Sequence, residues 1–166
     1  TWRRGIRARA WLKALLAAAT GYRGEFSEAL PQAEKALELV ETRPPFERVY
    51  VLGFLAMLRN WRGDFSGALS YSALAVRLIE EYGLGVVFAG LLSVHGLALT
   101  GVGRPEEGIS LAERAVQAAE TSGLLYWYSV WVMNLAQAYL LAGQAERSYS
   151  RAASALELSQ ARGDTF

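Results

Sequence analysis

Residues 62–83 read RGDFSGALSYSALAVRLIEEYG. The stretch opens on a glycine turn at Gly63, with Asp64 and Ser66 supplying helix-start chemistry. One amphipathic helix follows, and Gly83 stops it. The same unit occurs four times. Its turn glycines, Gly24, Gly63, Gly103 and Gly143, are separated by 39, 40 and 40 residues. Seven positions before each stands a small residue: Ala17, Ala56, Gly96, Ala136. Five after stand Ala29, Ala68, Gly108 and Ser148. Twelve after stand Ala36, Ala75, Ala115 and Ala155, and thirteen after stand Leu37, Val76, Val116 and Leu156. Twenty after come the breakers Pro44, Gly83, Gly123 and Gly163.

These columns have a physical reason. Two helices cross closely only where side chains are small. The bulky columns beside them fill the layer between neighbouring helix pairs. A glycine after the first helix takes the left-handed conformation that a tight turn needs. Each unit is therefore helix, turn, helix, and one unit alone cannot bury its apolar face, so units stack. The expected fold is all-α: a right-handed α-α superhelix, or solenoid, of eight antiparallel helices in four repeats, about 2–43, 44–83, 84–123 and 124–163. By length the chain 1–166 is a single domain. It starts at Thr1 and ends at Phe166 with no obvious closing helix, which suggests a fragment of a larger protein.

The pattern resembles the tetratricopeptide (TPR) family over essentially the whole chain. It rests on the small residues seven before and five after the turn glycine, and on the alanine twelve after it. The usual repeat there has about 34 residues, so a spacing near 40 implies longer helices or loops. The longer form looks like the helical-repeat regions of bacterial ATPase-linked transcription regulators and adenylate-cyclase-associated signalling proteins. The phrases GRPEEGISLAERAVQAAETSG (103–123) and NLAQAYLLAGQAERSYSRAASALELSQARGD (134–164) carry that likeness. Two departures stand out. Pro44-Pro45 replaces the glycine between units one and two, and Gly108 weakens one packing column.

Composition narrows the function. The chain is 52% hydrophobic, enough for a continuous core, with a net charge of +1. A general nucleic-acid surface needs a basic face, so no direct nucleic-acid binding is expected. With no cysteine there are no disulfides and no thiol chemistry, which is consistent with a reducing, cytoplasmic setting. Residues 1–22 carry Arg3, Arg4, Arg7, Arg9 and Lys13 ahead of an alanine-rich run. Lys13 interrupts that run, and the segment falls in the repeat register, so it reads as a first helix rather than a signal peptide. Two uncharged runs, Tyr82–Gly103 and Thr121–Ala145, have membrane-spanning length. Glycines, Ser93, His95, Asn134 and Gln137 punctuate them, and both fit the repeat columns. They read as buried helices of a stack, with no membrane partner.

The expected helices run near 1–22, 27–41, 46–61, 66–82, 85–101, 105–121, 124–142 and 145–161. Ser27 is the expected cap of the second, Asp64 starts the fourth, and Pro105 with Glu106 and Glu107 starts the sixth. In the aromatic run LLYWYSVW, Tyr126, Trp127, Tyr128 and Trp131 cannot all face one core, so some are expected to meet a next unit, another protomer or a partner.

Chemistry is sparse. There is one histidine, no phosphate loop and no dinucleotide fingerprint. Carboxylates sit on the second helices, where water-facing acids make poor catalysts. No catalytic residue, metal ligand or cofactor is assigned, and the chain is read as non-catalytic. His95 stands eight before its turn glycine, where other units have Leu16, Leu55 and Leu135, so that column is expected to be buried and His95 to bond within the core.

Two readings of function remain: a protein-protein interaction scaffold of a bacterial signalling or transcription-regulatory protein, or a small-molecule sensor domain of such a regulator. A dimerisation arm is a third. The resemblance implies that the first helix of each unit lines a concave face. Its stripe stands thirteen, ten, six, three and two positions before the turn glycine. The residues expected to meet a partner are Trp11, Tyr50, Met57, Asn60, Trp61, Ser93, Leu97, Met133 and Gln137. The set carries no formal charge and suits a protein or peptide segment or an apolar small ligand, with Asn60, Ser93 and Gln137 fixing orientation. A homo-oligomer formed through the terminal repeats is also expected.

Overall fold

The computed structural model describes residues 2–85, 90–123 and 127–162, apart from the side chains of 2–8, 159 and 162. Eight helices appear among the described residues, and no strand: α1 (Trp2–Tyr22), α2 (Phe26–Val40), α3 (Pro45–Arg62), α4 (Phe65–Tyr82), α5 (Leu91–Gly101), α6 (Pro105–Ser122), α7 (Tyr128–Leu141) and α8 (Ala145–Arg162). They pack as four pairs, α1 with α2, α3 with α4, α5 with α6 and α7 with α8. The chain forms two compact units, residues 1–87 and 88–166, each holding two pairs. In the first half α3 packs on both α1 and α2, and in the second α7 packs on both α5 and α6.

The turn glycines do what the spacing requires. Gly63 caps α3 at φ 82°, and its N–H bonds back to the Asn60 carbonyl at 2.9 Å. A side chain there is strained because a Cβ crowds the carbonyl in the left-handed region. Asp64 then opens α4, its Oδ1 accepting from the Gly67 N–H at 2.9 Å. The expected cap at Ser27 does not form. The Glu25 carbonyl already accepts from the Glu28 and Ala29 amides, so α2 starts earlier and Ser27 lies inside it. Pro31 sits within α2, past its first turn, where it has no N–H to donate and its ring crowds the carbonyl four residues before it.

The expected start of α5 at 85 falls on a turn, and α5 is described from Leu91; α7 is described from Tyr128, and its expected start at 124 lies outside the described residues. Residues 86–89 and 124–126 lie outside the described residues, Tyr126 among them. Trp127 precedes α7 at φ 62°, in the left-handed region.

The small-residue columns are buried at the crossings. Ala17, Ala29, Ala56, Ala68, Ala36, Ala75 and Ala115 are all inaccessible to solvent. Gly108 does not weaken its column; it makes the closest approach. A Cβ on Gly96 would lie 2.3 Å from the Gly108 carbonyl oxygen, and a Cβ on Gly108 would lie 2.3 Å from the Gly96 oxygen. α5 and α6 thus touch backbone to backbone where the other pairs use alanine or, on α8, Ser148. Ala155 departs from its column and is only half-buried, and Leu16 departs from its own and is 56% exposed. In both cases no further helix pair among the described residues lies against that face. His95 is half-buried.

Candidate functional site

In the first half, the position thirteen before the turn glycine is Trp11 on α1 and Tyr50 on α3. Their rings stack at 4.3 Å with planes 11° apart. Phe46, one turn before Tyr50 on α3, also stacks on Trp11, at 5.9 Å, and Phe54 meets Tyr50 edge-on at 5.0 Å. The position two before the glycine is Tyr22 on α1 and Trp61 on α3, and these rings lie 4.4 Å apart. Two aromatic contacts three helical turns apart therefore join α1 to α3. Between them α1 presents the small residues Ala14, Ala18 and Gly21, and Leu58 of α3 fills the space above Gly21. The helices come close in the middle because only the ends are bulky.

The indole N–H groups of Trp11 and Trp61 are shielded from water and have no acceptor among the described residues. A buried donor left unpaired opposes burial. Both rings are held instead by stacking and area, which for aromatic pairs contributes about 0.5–1.5 kcal/mol beyond burial. Burial also raises the pKa of the Tyr22 hydroxyl. Of the nine expected site residues, five lie in this half. Met57 and Asn60 are buried, while Trp11, Tyr50 and Trp61 keep part of their surface in solvent beside the exposed Tyr22.

The second half builds the same stripe differently. Ser93 and Leu97 on α5 are inaccessible, Gln137 on α7 is half-buried, and Met133 is exposed. Ser93 Oγ donates to the Gly90 carbonyl at 2.7 Å and accepts from Asn134 Nδ2 at 3.2 Å, a buried polar link between α5 and α7. The Trp131 indole lies over Gly90, so close that a Cβ there would meet the ring at 2.0 Å. Of the four aromatics not all of which were expected to face one core, Tyr128 and Trp131 are thus used inside this half. Asn134 went unmarked in the sequence because it stands one position off the stripe, nine before Gly143.

Polar clasps join successive pairs in each half, and single-column reasoning missed them. In the first half Arg59 donates to Asp64 at 2.5 Å and to Glu34 at 3.1 Å, and lies over the Tyr71 ring at 5.2 Å. The Gly67 amide, then Arg59, hold the Asp64 carboxyl below its usual pKa range. In the second half the Tyr139 hydroxyl donates to Glu113, and Arg147 bonds both Glu113 (2.8 Å) and that hydroxyl (2.9 Å) while covering the Tyr139 ring at 4.2 Å. One helical stretch further along, Tyr128 donates to Glu120 at 2.6 Å. Glu34 and Glu113 both stand ten after a turn glycine, and Arg59 and Tyr139 both stand four before one. That pair of columns was the available signal. These acids and bases neutralise each other at joints between helices, which is a structural use.

Among the described residues no group of acidic or histidine side chains is arranged to hold a metal, and no helix is long and apolar enough to cross a membrane. Three shallow depressions on the second half are bordered by residues of α6 and α8 and by the turn before α6, and none includes an expected site residue.

No protein-family model and no curated protein matches the sequence. Solved structures do share its fold. One, from Podosopora anserina, is provisionally named a kinesin light chain of nearly identical TPR-like repeats. It is 16% identical, with a TM-score of 0.67 over 93% of this chain and 76% of that one. Another is BtubC (BKLC) from P. vanneervenii, also 16% identical, with a TM-score of 0.59 over 97% of this chain and 84% of that one. At such low identity the likeness concerns the fold alone: this chain has the TPR-like helical-repeat fold that its columns implied.

Proposed function

We propose that the chain is a non-catalytic interaction scaffold that takes up an apolar segment of a protein partner on the first-helix face of its first half. The carrying observation is the pair of aromatic contacts between α1 and α3. Trp11 with Tyr50, and Tyr22 with Trp61, offer large, rigid, partly exposed rings at both ends of a close helix crossing. Rings of this kind supply contact area with little loss of side-chain freedom and are enriched where proteins anchor partners. The absence of formal charge in the stripe suits apolar side chains better than a carboxylate tail. On this reading Met57 and Asn60 shape the floor beneath the rings, and Met133 and Gln137 serve the second half with Ser93 and Leu97 behind them. The setting that fits is a cytoplasmic signalling or transcription-regulatory protein of bacterial type.

The test is peptide selection. Twelve-residue segments are selected from a displayed library on the chain 1–166, and binders are measured against Tyr50→Ala, Trp61→Ala and Gln137→Ala. Expected is at least a tenfold loss of binding for Tyr50→Ala and Trp61→Ala, beyond the modest fall in melting temperature that losing the ring contacts brings. A fall in melting temperature with binding intact would make the rings core and overturn the proposal.

A further inference from the structure

Arg59 stands on the side of α3 away from the rings. It comes nine residues after Tyr50 and two before Trp61, so at about 100° per residue it leaves the helix roughly opposite both. There it reaches Glu34 of α2 at 3.1 Å, Asp64 ahead of α4 at 2.5 Å and the Tyr71 ring of α4 at 5.2 Å. Asp64 is tied to the same residue through its backbone, its N–H bonding the Arg59 carbonyl at 2.9 Å. The last turn of α3 is thus fastened by both the side chain and the carbonyl of Arg59. That turn is the one that carries Trp61 to Tyr22 of α1, with the rings 4.4 Å apart.

Room for this clasp is built into α4. Four after the turn glycine the other units have Glu28, Glu107 and Arg147, and this one has Gly67. A Cβ there would press on the Asp64 carboxylate and lie 2.8 Å from Arg59 Nη1. The Arg59 side chain is only 21% exposed, so its guanidinium is held between α2 and α4 rather than left to swing in water.

We infer that Arg59 is a positioning residue for the partner face: by fastening the last turn of α3 to α2 and α4, it sets how Trp61 meets Tyr22. This rests on the reading of the α1–α3 face as a binding surface, and extends it to a residue that the partner does not touch. The Trp11–Tyr50 contact lies three turns away at the other end of the crossing and does not depend on the clasp.

Two measurements on the chain 1–166 test it, and the first needs no partner. Double-mutant cycles in urea melts, each ring replaced by leucine, give the Tyr22–Trp61 and Trp11–Tyr50 couplings in the parent, in Arg59→Met, in Glu34→Gln and in Gly67→Ala. The Tyr22–Trp61 coupling should fall to about half or less in all three variants, while the Trp11–Tyr50 coupling stays as in the parent. Gly67→Ala removes no charge and favours the helix, so a weaker coupling there reports displacement of the clasp rather than general loss of stability. The second measurement is affinity for a segment selected on the parent chain. Arg59→Met and Gly67→Ala should each weaken it at least about fivefold, and Tyr139→Phe, which loosens the clasp of the second half, should leave it unchanged. A Tyr22–Trp61 coupling that ignores all three variants would overturn the inference whether or not a segment binds. So would an affinity that falls equally in Tyr139→Phe, since the loss would then follow stability alone. A chain that selects no segment would refute the partner reading, and the ring cycles would still decide what Arg59 positions.

Discussion

The first half joins its two helix pairs with aromatic rings at both ends of a crossing; the second joins its pairs with small residues, one buried amide and a polar ladder. The repeat columns are the same. Thirteen before the turn glycine, the first half has Trp11 and Tyr50 and the second has Gly90 and Val130. With no side chain at Gly90, Trp131 moves one position along α7 to cover the gap. Packing within a pair is thus dictated by the repeat, because two backbones can approach only over small residues. Packing between pairs is open to several solutions of similar volume.

The comparison breaks most sharply at the α5–α6 contact. Gly96→Ala is expected to destabilise by at least about 2 kcal/mol, since the new methyl meets a backbone oxygen that cannot move aside. The matching position in the first half is already Ala56, and Ala56→Gly should cost only about 1 kcal/mol for the helix interior plus a small void. Urea melts of both variants decide the matter. Equal losses would mean that the two halves pack alike.

Next comes the alanine column. Ala75→Leu and Ala115→Leu should each cost about 1–3 kcal/mol through overpacking, whereas Ala155→Leu should stay within about 0.5 kcal/mol because its site is only half-buried. Denaturant midpoints that fell together for all three would contradict the exposed α8 face.

The clasps sharpen the contrast further. Arg59→Ala removes two carboxylate contacts and an aromatic contact, and about 1–2 kcal/mol is expected. Tyr139→Phe removes a hydroxyl shared by Glu113 and Arg147, and about 1 kcal/mol is expected. Thermal melts of the two variants measure both.

The smallest effect is acid sensitivity. Asp64 has a folded pKa below its unfolded value, so its contribution is complete above the unfolded value of about 3.9 and is lost as pH falls through the folded one. The parent chain should therefore exceed Asp64→Asn in stability at neutral pH, and the two should converge below about pH 4. A gap that persisted in acid would remove the carboxylate from the explanation.

Much of this was legible in the sequence, and for a reason. Turn glycines and small-residue columns answer to backbone geometry, which recurs every 39 or 40 residues and so leaves a periodic trace. The start of α5 was placed on what is a turn at Gly85 because an uncharged run gives no capping signal. Ser27 failed as a cap because Glu25 closed the turn before it. The candidate site was half legible. The stripe located Trp11 beside Tyr50, yet it also gathered Met57, Asn60, Ser93 and Leu97, which are buried. Helical spacing tells which side of a helix a residue shares, and not how closely the next helix lies over it. Arg59 with Glu34, and Tyr139 with Glu113, were missed because the column ten after the glycine alternates as Glu34, Ala73, Glu113, Ala153, and the column four before it holds four unlike residues, Thr20, Arg59, Leu99 and Tyr139.

The unlikeness of the two joints also bears on how the chain finds its fold. Four units built on the same small-residue columns invite mispairing, and repeat proteins misassemble by exchanging equivalent neighbours. Leu99 is the residue at the Arg59 position on α5, so α5 in place of α3 would leave Glu34 without its guanidinium. Asn134 likewise finds its acceptor opposite Ser93; the corresponding residue on α1 is Ala14. These two polar links are passwords that those wrong neighbours cannot answer, and such a swap strands a charge or an amide.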